Sequence, residues 1–127
     1  MIAVDTSVWI DFFRGRSAVV EKLSLLLDRD EVVLPVPVKS EILSGARRAE
    51  VQRLNRVLSA LPVLYPTEGL WKRMENWVTA GSDAGQRFGV GDLLIAALAV
   101  EHNCAIWSLD HDFVRMADLR MVTLAIV

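Results

Sequence analysis

Five carboxylates stand out in this chain by where they fall: Asp5, Glu41, Asp92, Asp110 and Asp112. Each lies where an apolar run gives way to a turn or a helical pattern. Asp5 ends Ile2-Ala-Val4 and runs into Thr6-Ser7, and Glu41 lies about one turn into the helix that follows Pro35-Val-Pro37. Asp92 is the only charge in Gly91-Asp-Leu-Leu-Ile-Ala-Ala-Leu-Ala-Val100, and Asp110 and Asp112 follow Trp107-Ser108-Leu109. Taken singly, an acid at a helix start caps orphan amides and complements the macrodipole, for about 1 kcal/mol or less. That reading suits Asp112, as a cap of the turn before Phe113, and Asp11, as a solvated helix position. It does not account for the grouping. In an open parallel sheet the strand ends share one edge, and ligands bind in the crevice there. Four acids, Asp5, Glu41, Asp92 and Asp110, then converge on one rim. Carboxylates placed together raise one another's pKa, so a cluster that stays ionised near neutral pH needs cations. Oxygen donors without a histidine or thiolate cluster select hard ions, Mg²⁺ or Mn²⁺. Such ions activate water and stabilise the attacking and leaving oxygens of a phosphoryl group, so the implied reaction is metal-dependent phosphodiester hydrolysis. No Gly-x-Ser-x-Gly elbow, Walker A loop or Gly-x-Gly-x-x-Gly turn competes with it.

The elements that must position these acids are legible as short apolar runs: Ile2 to Val4, Val32 to Val36, Val63 to Tyr65, Ala105 to Leu109 and Val122 to Val127. They are continuous rather than alternating, as in strands of a parallel sheet covered on both faces. Helical spacing marks Val19, Val20, Leu23, Leu26 and Leu27, then Val51, Leu54, Val57, Leu58 and Leu61, then Leu70, Trp71, Met74, Trp77 and Val78, with Thr67 as the N-cap of the third set. The Asp92 helix is apolar on almost every face and so is expected to be buried, with His102 and Asn103 at its end. Ser82 to Gly91 reads as a turn region between helices. The order β-α-β-αα-β-α-α-β-β argues for an α/β layered fold.

Composition narrows the class. A chain of 127 residues fits one domain spanning 1–127 and buries roughly two-thirds of its unfolded surface. With 53% hydrophobic and 24% charged residues it is not a disordered chain, and no apolar run approaches the roughly 20 residues that cross a bilayer. The opening residues read as core strand, so no secretory signal is expected, and the single Cys104 leaves no disulfide framework or thiolate zinc site. A soluble cytoplasmic protein is the expectation. Net charge is −2, so any phosphate partner must be met locally rather than by a basic surface.

Four segments carry a resemblance: Asp5-Thr-Ser-Val-Trp-Ile-Asp11, Pro35-Val-Pro-Val-Lys-Ser-Glu41-Ile-Leu-Ser-Gly-Ala46, Gly91-Asp92-Leu-Leu-Ile-Ala-Ala-Leu-Ala99 and Ser108-Leu-Asp110-His-Asp112-Phe113. In order and spacing the chain resembles the PIN domain, and within it the VapC-like toxins of toxin-antitoxin pairs. Any one block is common, whereas four in order span nearly the whole chain. The resemblance implies a PIN-like α/β fold with a central five-stranded parallel sheet, order 3-2-1-4-5, and a metal-dependent endoribonuclease that uses Mg²⁺ or Mn²⁺. It implies Asp5, Glu41, Asp92 and Asp110 as the acidic quartet that binds metal, with Asp5 and Asp92 the foremost ligands and Asp112 a fifth, supporting member. Thr6, Ser7 and Ser108 match small polar positions of the family; they either orient the carboxylates or serve as turn and cap residues. It also implies an RNA substrate, a second copy of this chain as homodimer partner, and a cognate antitoxin whose C-terminal segment lies over the acidic rim, in grooves between the early helices.

Substrate contacts are less marked. Arg47, Arg48, Arg53, Arg56, Arg73 and Arg87 are either solvated surface residues or phosphate contacts. Arg87 is the preferred RNA contact because its loop leads into Asp92. His111 reads as an exposed turn residue. Trp71, Met74 and Trp77 read as core or a homodimer face, and Trp9, Phe12 and Phe13 as a first helix with some aromatic surface exposed. Two other classes remain: a phosphate-handling aspartyl enzyme or receiver-like module, for which the second acid after the first strand is missing, and a non-catalytic PIN-like module binding RNA or protein, against which the intact quartet argues.

Overall fold

A computed structural model describes residues 1–127. The chain runs β1 (Ile2–Val4), α1 (Thr6–Phe13), α2 (Ser17–Asp28), β2 (Val32–Pro35), α3 (Val36–Ser44), α4 (Arg48–Leu58), β3 (Val63–Leu64), α5 (Glu68–Asp83), α6 (Val90–Glu101), β4 (Ala105–Trp107) and α7 (His111–Asp118). The strands form one parallel sheet in the order β3-β2-β1-β4. Strands of two to four residues make few ladder bonds, so burial under helices rather than pairing must hold them. Ala3, Val4 and all of Val32, Val33 and Leu34 are buried accordingly.

The fifth run did not become a strand. Residues 122–127 lie beside β4 with a single parallel bridge, Ile106 to Leu124, in which the Ile106 amide donates to Thr123 O at 2.9 Å and the Ala125 amide to Ile106 O at 2.7 Å. Its place matches position five of the expected order, so the sheet has four strands and an edge segment. Ile126 is fully exposed, which leaves little apolar gain to extend the pairing.

Two helices, not one, join β1 to β2. Arg14-Gly15-Arg16 breaks the run because Gly15 takes φ +74°, a left-handed conformation that ends a helix at little cost only for glycine. A further helix, α7, follows β4 where none was expected; it is two turns long and buries only Phe113 and Met116, an i,i+3 pair too sparse to show as a periodic stripe. Thr67 occupies the N-cap of α5, but its side chain makes no capping bond. Val36 belongs to α3 rather than to β2. Pro37 fits that first turn because proline has no amide to leave unpaired there.

The buried helix is α6, as its sequence requires. Leu93 and Ile95 to Ala99 are inaccessible, and three of them are alanines, which let α6 lie close to the sheet and to α3, α5 and α7. It ends at His102, whose Nδ1 lies 2.9 Å from Leu98 O, and Asn103 follows in the left-handed region at φ 54°. The consequence for function is that the N-terminus of α6, carrying Asp92, is anchored by the best-packed element in the molecule.

Candidate active site

β1 and β4 are neighbours, with Val4 opposite Trp107, so the residues that follow them, Asp5 and Ser108, emerge side by side at the same sheet edge. Asp5 caps α1 and is only 5% exposed. Its Oδ2 accepts from Ser7 Oγ at 2.8 Å, Ser108 Oγ at 2.7 Å and, more weakly, the Ser7 amide at 3.4 Å. The same two hydroxyls are held in turn, since the Leu109 amide donates to Ser7 Oγ and the Asp110 amide to Ser108 Oγ, both at 3.0 Å. A buried carboxylate is costly unless hydrogen-bonded, and Asp5 is satisfied on one oxygen by this serine bracket.

Asp110 caps α7, its Oδ1 accepting from the Asp112 amide at 2.9 Å. The cap of this segment is therefore Asp110, not Asp112. Asp112, in the first turn, points its Oδ1 at Arg115 Nη2, 2.6 Å away. Across from them is Asp92, in the first turn of α6. One oxygen from each of Asp92, Asp110 and Asp112 lies within 4.8 Å of the others. The Asp92 carboxyl is pushed up to about 6, first by burial, then by the charges of Asp110, Asp5 and Asp112, and last by the closeness of the Asp112 carboxyl as a hydrogen-bonding neighbour. Asp112 is held below the usual carboxylate range, chiefly by the Arg115 hydrogen bond.

Glu41 stands on the other side of Asp5. Burial of part of its carboxyl raises its pKa; the Thr6 hydroxyl works the other way, and the Asp5 charge raises it again. Thr6 itself is 8% exposed, and its Oγ1, close enough to Glu41 to act on that carboxyl, makes no hydrogen bond of proper geometry. Such a group costs about 1–3 kcal/mol when left unpaired.

The predicted acids thus assemble on one rim, in two parts rather than one evenly spaced quartet. Asp5 is the shared corner, acting electrostatically on both Glu41 and Asp92. The tight three-oxygen group consists of Asp92, Asp110 and Asp112, and includes neither Asp5 nor Glu41. Ser7 and Ser108 both reach Asp5, while Thr6 does not. Arg87 is exposed on the turn before α6, with its side chain outside every ion pair. His111 is exposed as expected, but as the first residue of α7. On α5, Met74 is core, Trp77 is half-buried, and Trp71 is 46% exposed. Sequence reasoning missed Arg115. Its spacing of three from Asp112, a helical ion-pair spacing, was the available signal.

All the donors on this rim are carboxylate or hydroxyl oxygens, and three of the carboxylates crowd without a cation of their own except Arg115 on Asp112. That donor set fits a hard divalent ion. In open α/β sheets ligands bind in the crevice at the carboxyl ends of the strands, which is where this acidic cluster lies. The PIN-domain family model matches residues 2–119, so the chain belongs to the PIN-domain family. Among its relatives, ribonuclease VapC11 of Mycobacterium tuberculosis (strain ATCC 25618 / H37Rv) is 34% identical over 119 residues, 89% of each chain. The fold is similar to that of VapBC2 from Rickettsia felis, solved bound to a DNA fragment from its promoter (TM-score 0.79, 18% identity, 98% of each chain). It is equally similar to that of VapBC-1 from nontypeable Haemophilus influenzae (TM-score 0.79, 23% identity, 98% of this chain and 97% of that one).

Proposed function

We propose that this chain is a divalent-metal-dependent endoribonuclease and the toxin of a toxin-antitoxin pair. The observation that carries the reading is the convergence of Asp92, Asp110 and Asp112 oxygens within 4.8 Å, next to the hydrogen-bonded Asp5. The relatives at 34% identity are named ribonucleases, which supports RNA as the substrate. Asp92, Asp110 and Asp112 would hold Mg²⁺ or Mn²⁺, with Asp5 at their side and Glu41 completing the rim. When bound, the ion supplies Lewis-acid activation and charge neutralisation at the phosphate. The chain's own residues do the rest. Ser7 and Ser108 fix the Asp5 carboxylate, the anchored start of α6 fixes Asp92, and Glu41, raised by its surroundings, sits where it can hold or release a proton at the carboxyl oxygen. Arg87 extends from the turn before α6 to meet an RNA phosphate.

Surface shape supports the partner reading. A groove of about 600 Å³ between α1, α3 and α4 is lined by Ile10, Phe13, Ile42, Arg14, Arg53 and Glu41 among others. An apolar antitoxin segment carrying carboxylates would fill it and cover the rim. The exposed Trp71 and Val78 of α5 give a face for a second copy of this chain. No helix is long and apolar enough to cross a membrane, and a cytoplasmic site of action accords with an RNA target.

The test incubates the purified, antitoxin-free chain with RNA and with DNA in Mg²⁺, Mn²⁺ or EDTA, beside Asp92→Asn. Metal-dependent RNA cleavage that Asp92→Asn loses is the expected result. Cleavage that persists in EDTA, or in Asp92→Asn, overturns the metal mechanism.

A further inference from the structure

Arg115 is the one cation in direct contact with the three-carboxylate group, and it is bound to much more than Asp112. It lies in the second turn of α7 with its side chain 28% exposed. Nη2 donates to Asp112 Oδ1 at 2.6 Å and to the Arg87 carbonyl at 3.3 Å; Nη1 donates to Gln86 Oε1; and the guanidinium carbon stands 4.7 Å from the centre of the Phe88 ring. One planar group therefore grips three consecutive residues of the turn that launches α6, together with one site acid on α7. The turn is itself folded tightly onto α5. The Gln86 amide donates to Gly81 O at 2.7 Å, and a Cβ at Gly81 would stand 3.1 Å from Gln86 O and 3.5 Å from the Phe88 ring. Gly89, next after Phe88, is the N-cap of α6, and Asp92 follows one turn on.

From this geometry we infer that Arg115 is a positioning residue for the metal site: by holding Asp112 Oδ1 it fixes how that carboxylate faces Asp92 and Asp110, and it ties that orientation to the Gln86–Phe88 turn that places Asp92. The inference rests on the metal-binding reading of the rim and adds a residue to it. A lysine cannot replace it, because an ammonium is a point charge without the planar fork that serves two acceptors and stacks on a ring at once. Loss of partners that orient metal-binding carboxylates typically costs about 10–100-fold in affinity.

The test measures Mn²⁺ affinity by titration calorimetry on the whole chain, and amide hydrogen exchange at Gln86 to Phe88, for the native protein, Arg115→Lys, Asp112→Ala and the double variant. The expected result is that Arg115→Lys, with charge retained and far-UV circular dichroism unchanged, weakens Mn²⁺ about 10-fold or more and speeds exchange in the turn. In the Asp112→Ala background the same change costs little further affinity, because the oxygen it orients is gone. Gln86→Ala, which touches only the turn side of the clamp, moves affinity in the same direction by less. Native affinity in Arg115→Lys, or equal losses with and without Asp112, overturns the role of Arg115 while leaving the metal site intact. No Mn²⁺ binding by the native chain overturns both. If Arg115→Lys does not fold, unchanged affinity in Gln86→Ala overturns the coupling to the turn.

Discussion

The two halves of the acidic rim are built on opposite plans. Asp5 is almost wholly buried, yet one of its oxygens accepts from two serine hydroxyls that backbone amides hold in place. Asp92, Asp110 and Asp112 are more open, and crowd together with one guanidinium among them. The first half is satisfied by the protein, and the second waits for positive charge. Burial first, and then the neighbouring carboxylates, disfavour full ionisation on the open side and push the Asp92 carboxyl up to about 6. On the metal-binding reading proposed above, such crowding trades stability of the metal-free protein for function.

Asp92→Asn breaks the open half and carries the largest expected effect. Removing an ion-holding carboxylate is expected to cost at least about 100-fold in RNA cleavage, the order of a few kcal/mol of charge stabilisation. The same change is expected to stabilise the metal-free protein at neutral pH. Because the folded pKa of about 6 lies above the ordinary 3.8, the folded chain binds more protons than the unfolded one between those values. Stability from this group is therefore present at low pH and falls as pH rises from about 4 through 6. Asparagine has no such dependence. Melting temperatures of metal-free wild type and Asp92→Asn should coincide near pH 4 and separate above pH 6, with the variant higher. A wild type that is the more stable at pH 7 would show that the cluster is not strained.

Cation binding tests the same contrast from the other side. At about 100 times its dissociation constant, a divalent ion should add about 2.7 kcal/mol to the unfolding free energy. The gain should vanish in EDTA and shrink at pH 5, where protons compete for Asp92. A melting temperature indifferent to Mg²⁺ and Mn²⁺ would count against the open half as a metal site.

How much of this was readable beforehand differs between the halves. Asp5 and Asp110 stood out because each follows a continuous apolar run, Glu41 because it lies one turn into the helix after such a run, and Asp92 because it is the only charge at the start of an almost wholly apolar helix. The sheet order came from the resemblance to the family rather than from the pattern, and it holds down to the edge position of residues 122–127. Two kinds of information were hidden. Asp112 looked like a cap, since a cap and a ligand use the same residue type at the same place, and only the Asp110 side chain on the Asp112 amide assigns capping to the other acid. The Arg115 clamp joins residues 86–88 to 115, a separation at which no periodicity operates. Helix α7 was missed for a related reason, its core contribution resting on Phe113 and Met116 alone.

Breaking the satisfied half should matter less for catalysis and more for stability. Ser108→Ala removes the 2.7 Å bond to Asp5 and the acceptor of the Asp110 amide. Loss of one hydrogen bond to a buried charge is expected to cost about 1.5–3 kcal/mol, measured by urea unfolding, with cleavage reduced but retained. Because Ser7 Oγ still reaches Asp5 at 2.8 Å, the single change should be survivable, and Ser7→Ala in addition should cost more than the sum of the two. Additive losses would mean that the two hydroxyls do not back each other up.

The smallest expected effect on stability is at the margin of the open half. Arg87 is exposed and outside every ion pair, so Arg87→Ala should leave the unfolding free energy within about 0.5 kcal/mol of wild type. Its influence should appear instead in RNA binding. A side chain that neutralises one phosphate of a single strand contributes about 0.7 to the slope of log affinity against log salt. Measured on the cleavage-dead Asp92→Asn background, Arg87→Ala should weaken RNA at low salt, lower that slope by about this amount and leave sequence preference alone. An unchanged slope would remove Arg87 from the substrate path. It would also shift attention to Arg14 and Arg53, which line the same groove as Glu41, the acid that feels the Asp5 charge.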